Sequence, residues 1–188
     1  MERPTFNFVK RMETSVFGNV SRVEIKGKRW YESTCGLIVP SVTTVLDSIP
    51  NPGIEKWKAR VGPEEAARIS GMAKEQGQAL HSAVEAYLLN MPNFPEYTPS
   101  YVIDLFRKIQ PSLNLIDNIQ MLEKQLMCNT HAGTPDCIGD FNGKCSIIDF
   151  KTAKREPYPD TIKKYFMQCA AYQQLWCAQH PNWASNVM

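Results

Sequence analysis

The stretch GTPDCIGDFNGKCSIIDFK, residues 133–151, decides the fold. At its centre Asn142-Gly143 is a dipeptide favoured in two-residue type I′ turns, so 133–141 and 144–151 are predicted to pair as an antiparallel hairpin. With Asn142 and Gly143 as the loop, Phe141 faces Lys144, and counting outward symmetrically brings Asp136 opposite Asp149. Directly opposed side chains have Cβ atoms roughly 4.5–5.5 Å apart, and like charges there repel. A divalent cation relieves that repulsion, because Mg²⁺ takes one or two carboxylates and fills its octahedron with waters and phosphate oxygens. Alternation along the strand adds Lys151 to the face of Asp149. Metal-assisted phosphodiester hydrolysis uses such a set: carboxylates for the metal, a water activated by it, and a cation for the developing charge. A solvent-exposed hairpin with accidental acids is the alternative. Against it, Ile147, Ile148 and Phe150 put apolar groups on both faces, as in a buried strand.

Prolines punctuate the surrounding elements. Arg22 to Lys26, a turn at Gly27, and Lys28 to Tyr31 are predicted to form a small hairpin. Ser41 caps a short helix through Leu46, and Ile54 to Val61 is a basic segment around Trp57. From Pro63 to about Leu89 the spacing of Leu80, Val84, Tyr87 and Leu88 predicts a long helix, opened by Pro63, Glu64 and Glu65. Shorter predictions are a helix over 100–110 and a strand over 118–128. From Asp160 to about Gln179 a second long helix recurs through Ile162, Phe166, Cys169, Ala170 and Gln173. His81 lies one position beyond Leu80, and Gln168 and Tyr172 are neighbours one turn apart. Ordinary packing or solvation is the commoner account of each.

The chain has 188 residues, a net charge of +2, 43% hydrophobic and 21% charged residues, the balance of one globular domain rather than a disordered tail. So small a charge does not announce a nucleic-acid binder. No apolar run of about 18 residues marks a membrane helix, and MERPTFNFVK lacks the apolar block of a secretory signal. A cytoplasmic, non-secreted protein is expected. Six cysteines without a C-x-x-C pair point to reduced, mostly packed thiols rather than a zinc site.

Gly133-Thr134-Pro135-Asp136, Ile148-Asp149-Phe150-Lys151-Thr152 and Gln168-Cys169-Ala170-Ala171-Tyr172 together resemble the PD-(D/E)XK nuclease superfamily, in the order and spacing of its RecB-type exonuclease branch. Pro40 to Leu46, Trp57-Lys58-Ala59-Arg60 and Gly77 to His81 are similar to the mitochondrial genome maintenance exonucleases and their phage relatives within that branch. The resemblance runs from Pro40 to Tyr172. It implies an α/β, restriction-endonuclease-like core, with a mixed central sheet on the 118–151 strands flanked by the helices at 63–89 and 160–179. Residues 1–60 would form an N-terminal hairpin and DNA-contacting helices, and 61–188 the nuclease core, within a single domain.

Residue by residue, the resemblance makes His81, Asp136, Asp149 and the carbonyl of Phe150 ligands of Mg²⁺ or Mn²⁺, with Lys151 as the catalytic lysine. Gln168 and Tyr172 would orient the lysine or the scissile phosphate. Ser41, Thr43, Thr44, Trp57 and Lys58 would touch the DNA backbone or stack on a base, although a helix cap and a core tryptophan explain them equally well. Glu123 is a candidate supporting residue, an exposed strand glutamate being the commoner account. The family's sheet gains a strand after the Q-x-x-x-Y helix, whereas this chain ends at Met188 soon after it. Only Cys177 follows that helix, so no iron–sulfur cluster is expected. The absence of an Arg-rich leader and the compact length suit a bacterial or phage protein rather than a mitochondrial precursor. The activity implied is metal-dependent exonuclease action on single-stranded DNA ends, in DNA processing, recombination or repair. A structure-specific endonuclease and a catalytically silent DNA-binding protein are the rivals, and no protein partner is indicated.

Overall fold

The computed structural model describes residues 4–9, 17–94, 98–153 and 157–180. In chain order the elements are β1 (Val20–Ile25), β2 (Lys28–Ser33), β3 (Ile38–Pro40), α1 (Val42–Leu46), α2 (Pro52–Val61), α3 (Pro63–Leu88), α4 (Ser100–Leu113), β4 (Ile116–Leu122), β5 (Leu126–Met127), β6 (Ala132–Gly133), β7 (Cys137–Phe141), β8 (Lys144–Ile148) and α5 (Pro159–Gln179). The described residues within Met1–Phe6, Ile49–Asn114 and Phe150–Lys154 form one compact unit, and those within Asn7–Ser48, Leu115–Asp149 and Arg155–Met188 a second.

The second unit carries the strands. Instead of one mixed central sheet it has three small antiparallel ones, β1-β2-β3, β4-β7-β8 and β5-β6. Parallel pairing among the described residues is confined to two isolated bridges, Phe8 with Ile119 and Ser41 with Ala132. The β7–β8 hairpin has the register read from Asn142-Gly143: both turn residues have positive φ, 49° and 74°, and the pairs run from Phe141 with Lys144 to Cys137 with Ile148. Its strands are shorter than predicted, because pairing stops one step before Asp136 and Asp149. Pro135 has no N–H to give a ladder, and the Asp136 carbonyl accepts instead from the Glu123 N–H at 3.1 Å, on the β4 side.

The strand predicted over 118–128 is also interrupted. Asn118 and Glu123 take φ of 47° and 48°, and the β4–β7 register shifts between Asp117 and Met121. Gly139 permits this close approach, since a Cβ there would stand 3.0 Å from the Asp117 carbonyl oxygen and 3.2 Å from the Ile119 Cα. The predicted first hairpin forms, but Lys26, expected at the end of its first strand, joins Gly27 in the turn with positive φ, and a third strand, β3, that the sequence reading missed is added.

Helix α5 turns a different face inward from the one predicted. Its buried residues are Gln168, Tyr172, Leu175 and Trp176, the last three packed with Val42, Met121, Leu126 and Ile138. Ile162 and Phe166 are exposed. The stripe through Tyr172, Leu175 and Trp176 brings more apolar surface to one side than the Ile162–Phe166 stripe does.

In the first unit, Pro63 opens α3 with Glu64 and Glu65 in the first turn, as the sequence reading predicts. Leu80, Val84, Tyr87 and Leu88 are buried, and edge-to-face rings link Tyr87 to Phe6 at 5.2 Å and to Phe106 at 5.0 Å. Helix α4 continues past Pro111 to the buried Leu113, beyond the predicted end at Gln110. No helix among the described residues is long and apolar enough to cross a membrane.

Candidate metal and catalytic site

Three local devices assemble the candidate side chains of the strand-bearing unit. The hairpin register carries Asp136 and Asp149 to the same end of β7 and β8. The left-handed turn at Glu123 brings one of its carboxylate oxygens within 4.8 Å of one from Asp136. Helix α5 then supplies Gln168 and Tyr172 one turn apart. Gln168 Nε2 donates to Asp149 Oδ1 at 3.0 Å and to the Tyr172 hydroxyl at 2.9 Å, so one amide ties the carboxylate to the phenol. Asp136, Gln168 and Tyr172 are all buried.

Burial, with the charges of Asp149 and Asp136 adding to it, pushes the Tyr172 hydroxyl well above the usual 10.0, although the Gln168 bond pulls the other way. Tyr172 therefore stays a neutral phenol. The Cys137 thiol, next to Asp136 in the chain, is pushed from 9.0 up to about 12, chiefly by burial and then by Asp136 and Glu123. Both folded values are raised, so this contribution to stability is complete below the unfolded values and fades as pH rises through the folded ones. Urea unfolding should accordingly show stability falling between pH 9 and about 12. Cys137→Ala should flatten part of that slope.

His81 and Phe150 belong to the first unit. The imidazole donates from Nε2 to the Phe150 carbonyl at 2.9 Å, and the two rings meet edge to face at 6.2 Å. That bond selects the tautomer with its proton on Nε2 and leaves Nδ1 as the lone-pair nitrogen. The carbonyl expected to face the ion is thus also the acceptor for His81. Lys151 is exposed and lies beyond the end of β8, so strand alternation does not set its direction.

The chain is similar to a mitochondrial exonuclease. Mitochondrial genome maintenance exonuclease 1 of Mus musculus is 28% identical over 62% of this chain and 38% of its own length. The Homo sapiens protein of that name is 24% identical over 72% and 43%, and the Xenopus tropicalis protein 26% over 71% and 42%. The chain spans about two fifths of the length of these curated relatives. No family model matches it.

Glu123 is the residue whose placement beside the candidate site the sequence reading did not expect. It is half-buried, off the strand and beside Asp136. Its signal was faint, because a glutamate with positive φ has no characteristic sequence pattern. Of the residues expected to meet DNA, Ser41 is buried and caps α1 through Thr44 N, bonding the Thr43 hydroxyl at 2.9 Å and the Thr44 hydroxyl at 3.0 Å. Thr44 in turn donates to the Arg29 carbonyl at 2.7 Å. These hydroxyls have a structural role in the cap. Trp57 and Lys58 lie on α2 in the first unit, Trp57 half-buried and Lys58 3.7 Å from Glu55.

The glycine of the G-x-x-D motif has a packing reason. A Cβ at Gly133 would collide with Tyr172 Cε1 and stand 3.1 Å from its Cδ1 and 3.4 Å from Val42 Cγ2. Gly133→Ala should therefore displace the phenol from Gln168 and cost about 1–3 kcal/mol, measured by urea unfolding. A fall in activity greater than the loss of folded protein would trace the remainder to Tyr172.

Proposed function

We propose that the chain is a metal-dependent deoxyribonuclease that removes nucleotides from single-stranded DNA ends, on a PD-(D/E)XK-type core. The observation that carries the reading is the pairing of the buried Asp136 with the half-buried Glu123, and of the half-buried Asp149 with the buried Gln168 and Tyr172. Similarity to the mitochondrial genome maintenance exonucleases supports the same class. The donor set suits Mg²⁺ or Mn²⁺, because carboxylate oxygens dominate it and the imidazole of His81 is tolerated by Mn²⁺. Asp136 and Asp149 would hold the ion with Glu123 in support, and the resemblance to the nuclease superfamily adds His81 as a further ligand. When bound, the ion supplies an activated water and neutralises charge on the phosphate.

The chain's own residues do the rest. Gln168 fixes the Asp149 carboxylate and the Tyr172 hydroxyl in one geometry, so neither must reorganise during reaction. Tyr172 offers a phenol O–H to a phosphate oxygen or neighbouring nucleotide. Lys151, two residues after Asp149, supplies positive charge where the pentavalent phosphate gathers negative charge. Trp57 and Lys58 are assigned to stacking and backbone contact. Ser41, Thr43 and Thr44 hold α1 through its cap, with the partly exposed threonines at the DNA backbone.

The test is degradation of end-labelled linear single strands, blunt duplexes and closed single-stranded circles with Mg²⁺, Mn²⁺ or chelator. Linear strands should be degraded readily, duplexes slowly and circles hardly at all, with no cutting in chelator. Rapid cutting of circles would make the protein an endonuclease, and binding without cleavage in either metal a silent DNA-binding protein.

A further inference from the structure

We propose that the first half of α5 is a stacking platform that grips the single strand outside the catalytic cluster, an inference that rests on the nuclease reading above. Tyr158, the residue capping α5, is 79% exposed, and Phe166 is 71% exposed. Rings of that size left almost wholly in water are costly unless something covers them. With Ile162 between them, 36% exposed, they follow an i, i+4, i+8 spacing and form one stripe along the helix. Eight residues of helix rise about 12 Å, about three steps of a stacked strand, so the two rings suit bases at the two ends of a short segment.

Charge argues for nucleic acid as the occupant. Lys163 and Lys164 sit inside the same stretch, and Asp160 is its sole acid. Lys164 reaches the Leu46 carbonyl at 3.5 Å, while Lys163 is exposed. Aromatic rings interleaved with lysines are the recurring means of holding single strands without reading sequence. Continuity strengthens the argument: the helix bearing the stripe continues directly into Gln168 and Tyr172, so a strand held on it is anchored to the same rigid element as the reacting group.

The measurement is fluorescence anisotropy with a labelled oligothymidine strand and with an abasic strand of equal length, in chelator so that nothing is cut. Tyr158→Ala and Phe166→Ala should each weaken oligothymidine binding roughly 5- to 100-fold while hardly changing binding of the abasic strand. Lys163→Ala should weaken both strands and lower the salt dependence by roughly 0.7 in log–log slope. The substituted side chains are exposed, so circular dichroism and the melting temperature should match wild type. Wild-type binding that none of the variants alters overturns the platform and leaves the nuclease reading standing. Failure of wild type to bind or cut single strands overturns both. Loss of a concentration-dependent dimer in Phe166→Ala, with DNA binding unchanged, would assign the stripe to self-association instead.

Discussion

On the proposed reading Asp136→Asn is expected to lower cleavage by roughly 10³-fold or more, and Asp149→Asn to do the same, because each loses a carboxylate that would hold the cation neutralising the charge gathered in the reaction. Their effects on stability should differ from that on activity. Asp136 shares its surroundings with the Glu123 carboxylate, whose oxygen lies within 4.8 Å, so in chelator Asp136→Asn relieves repulsion and leaves stability unchanged or higher. Asp149→Asn keeps a carbonyl oxygen that can accept the 3.0 Å bond from Gln168, so it too should fold normally. Adding Mg²⁺ or Mn²⁺ separates the proteins. Wild type gains about 2.7 kcal/mol at a metal concentration of one hundred times Kd, and the variants gain much less. Melting curves with and without metal, alongside a cleavage assay, decide it. Marked destabilisation of both variants in chelator would mean that the carboxylates hold the fold rather than a cation.

Lys151→Ala should lower cleavage by roughly 10²- to 10³-fold while leaving single-strand affinity nearly unchanged, since on the proposed reading its charge acts mainly in the transition state and is one of several cations available to DNA. Lys151 is exposed, and replacing an exposed lysine shifts stability by no more than about 0.5 kcal/mol. Loss of binding in step with cleavage would reduce Lys151 to a phosphate anchor. Arginine at this position keeps the charge and separates the two roles: it restores binding in the anchor case and little catalysis in the other.

Local chemistry made several elements legible. Asn142-Gly143 accepts two positive φ values at little cost, so the β7–β8 register follows from the turn alone. Pro63 opens α3, Pro159 lies in the first turn of α5, and Ser41 caps α1, where their missing N–H or side-chain oxygen suits a helix start. These devices act within a few residues, and a sequence displays them directly.

Other features depend on what lies far away along the chain. The inward face of α5 is not legible locally because two apolar stripes compete on one helix, and the buried one is the one that Val42, Met121, Leu126 and Ile138 cover. Strand ends are not legible locally because ladder bonds need a partner: β7 and β8 stop pairing where the Asp136 carbonyl turns to Glu123. By itself, then, the sequence determined the turn, the helix starts and the candidate residues, through short-range backbone preference. Only the tertiary structure decided that Glu123 meets Asp136, that Gln168 bridges Asp149 and Tyr172, and that Gly133 yields space to the Tyr172 ring, because each contact joins residues whose proximity exists only after burial has been shared out among elements remote in the chain.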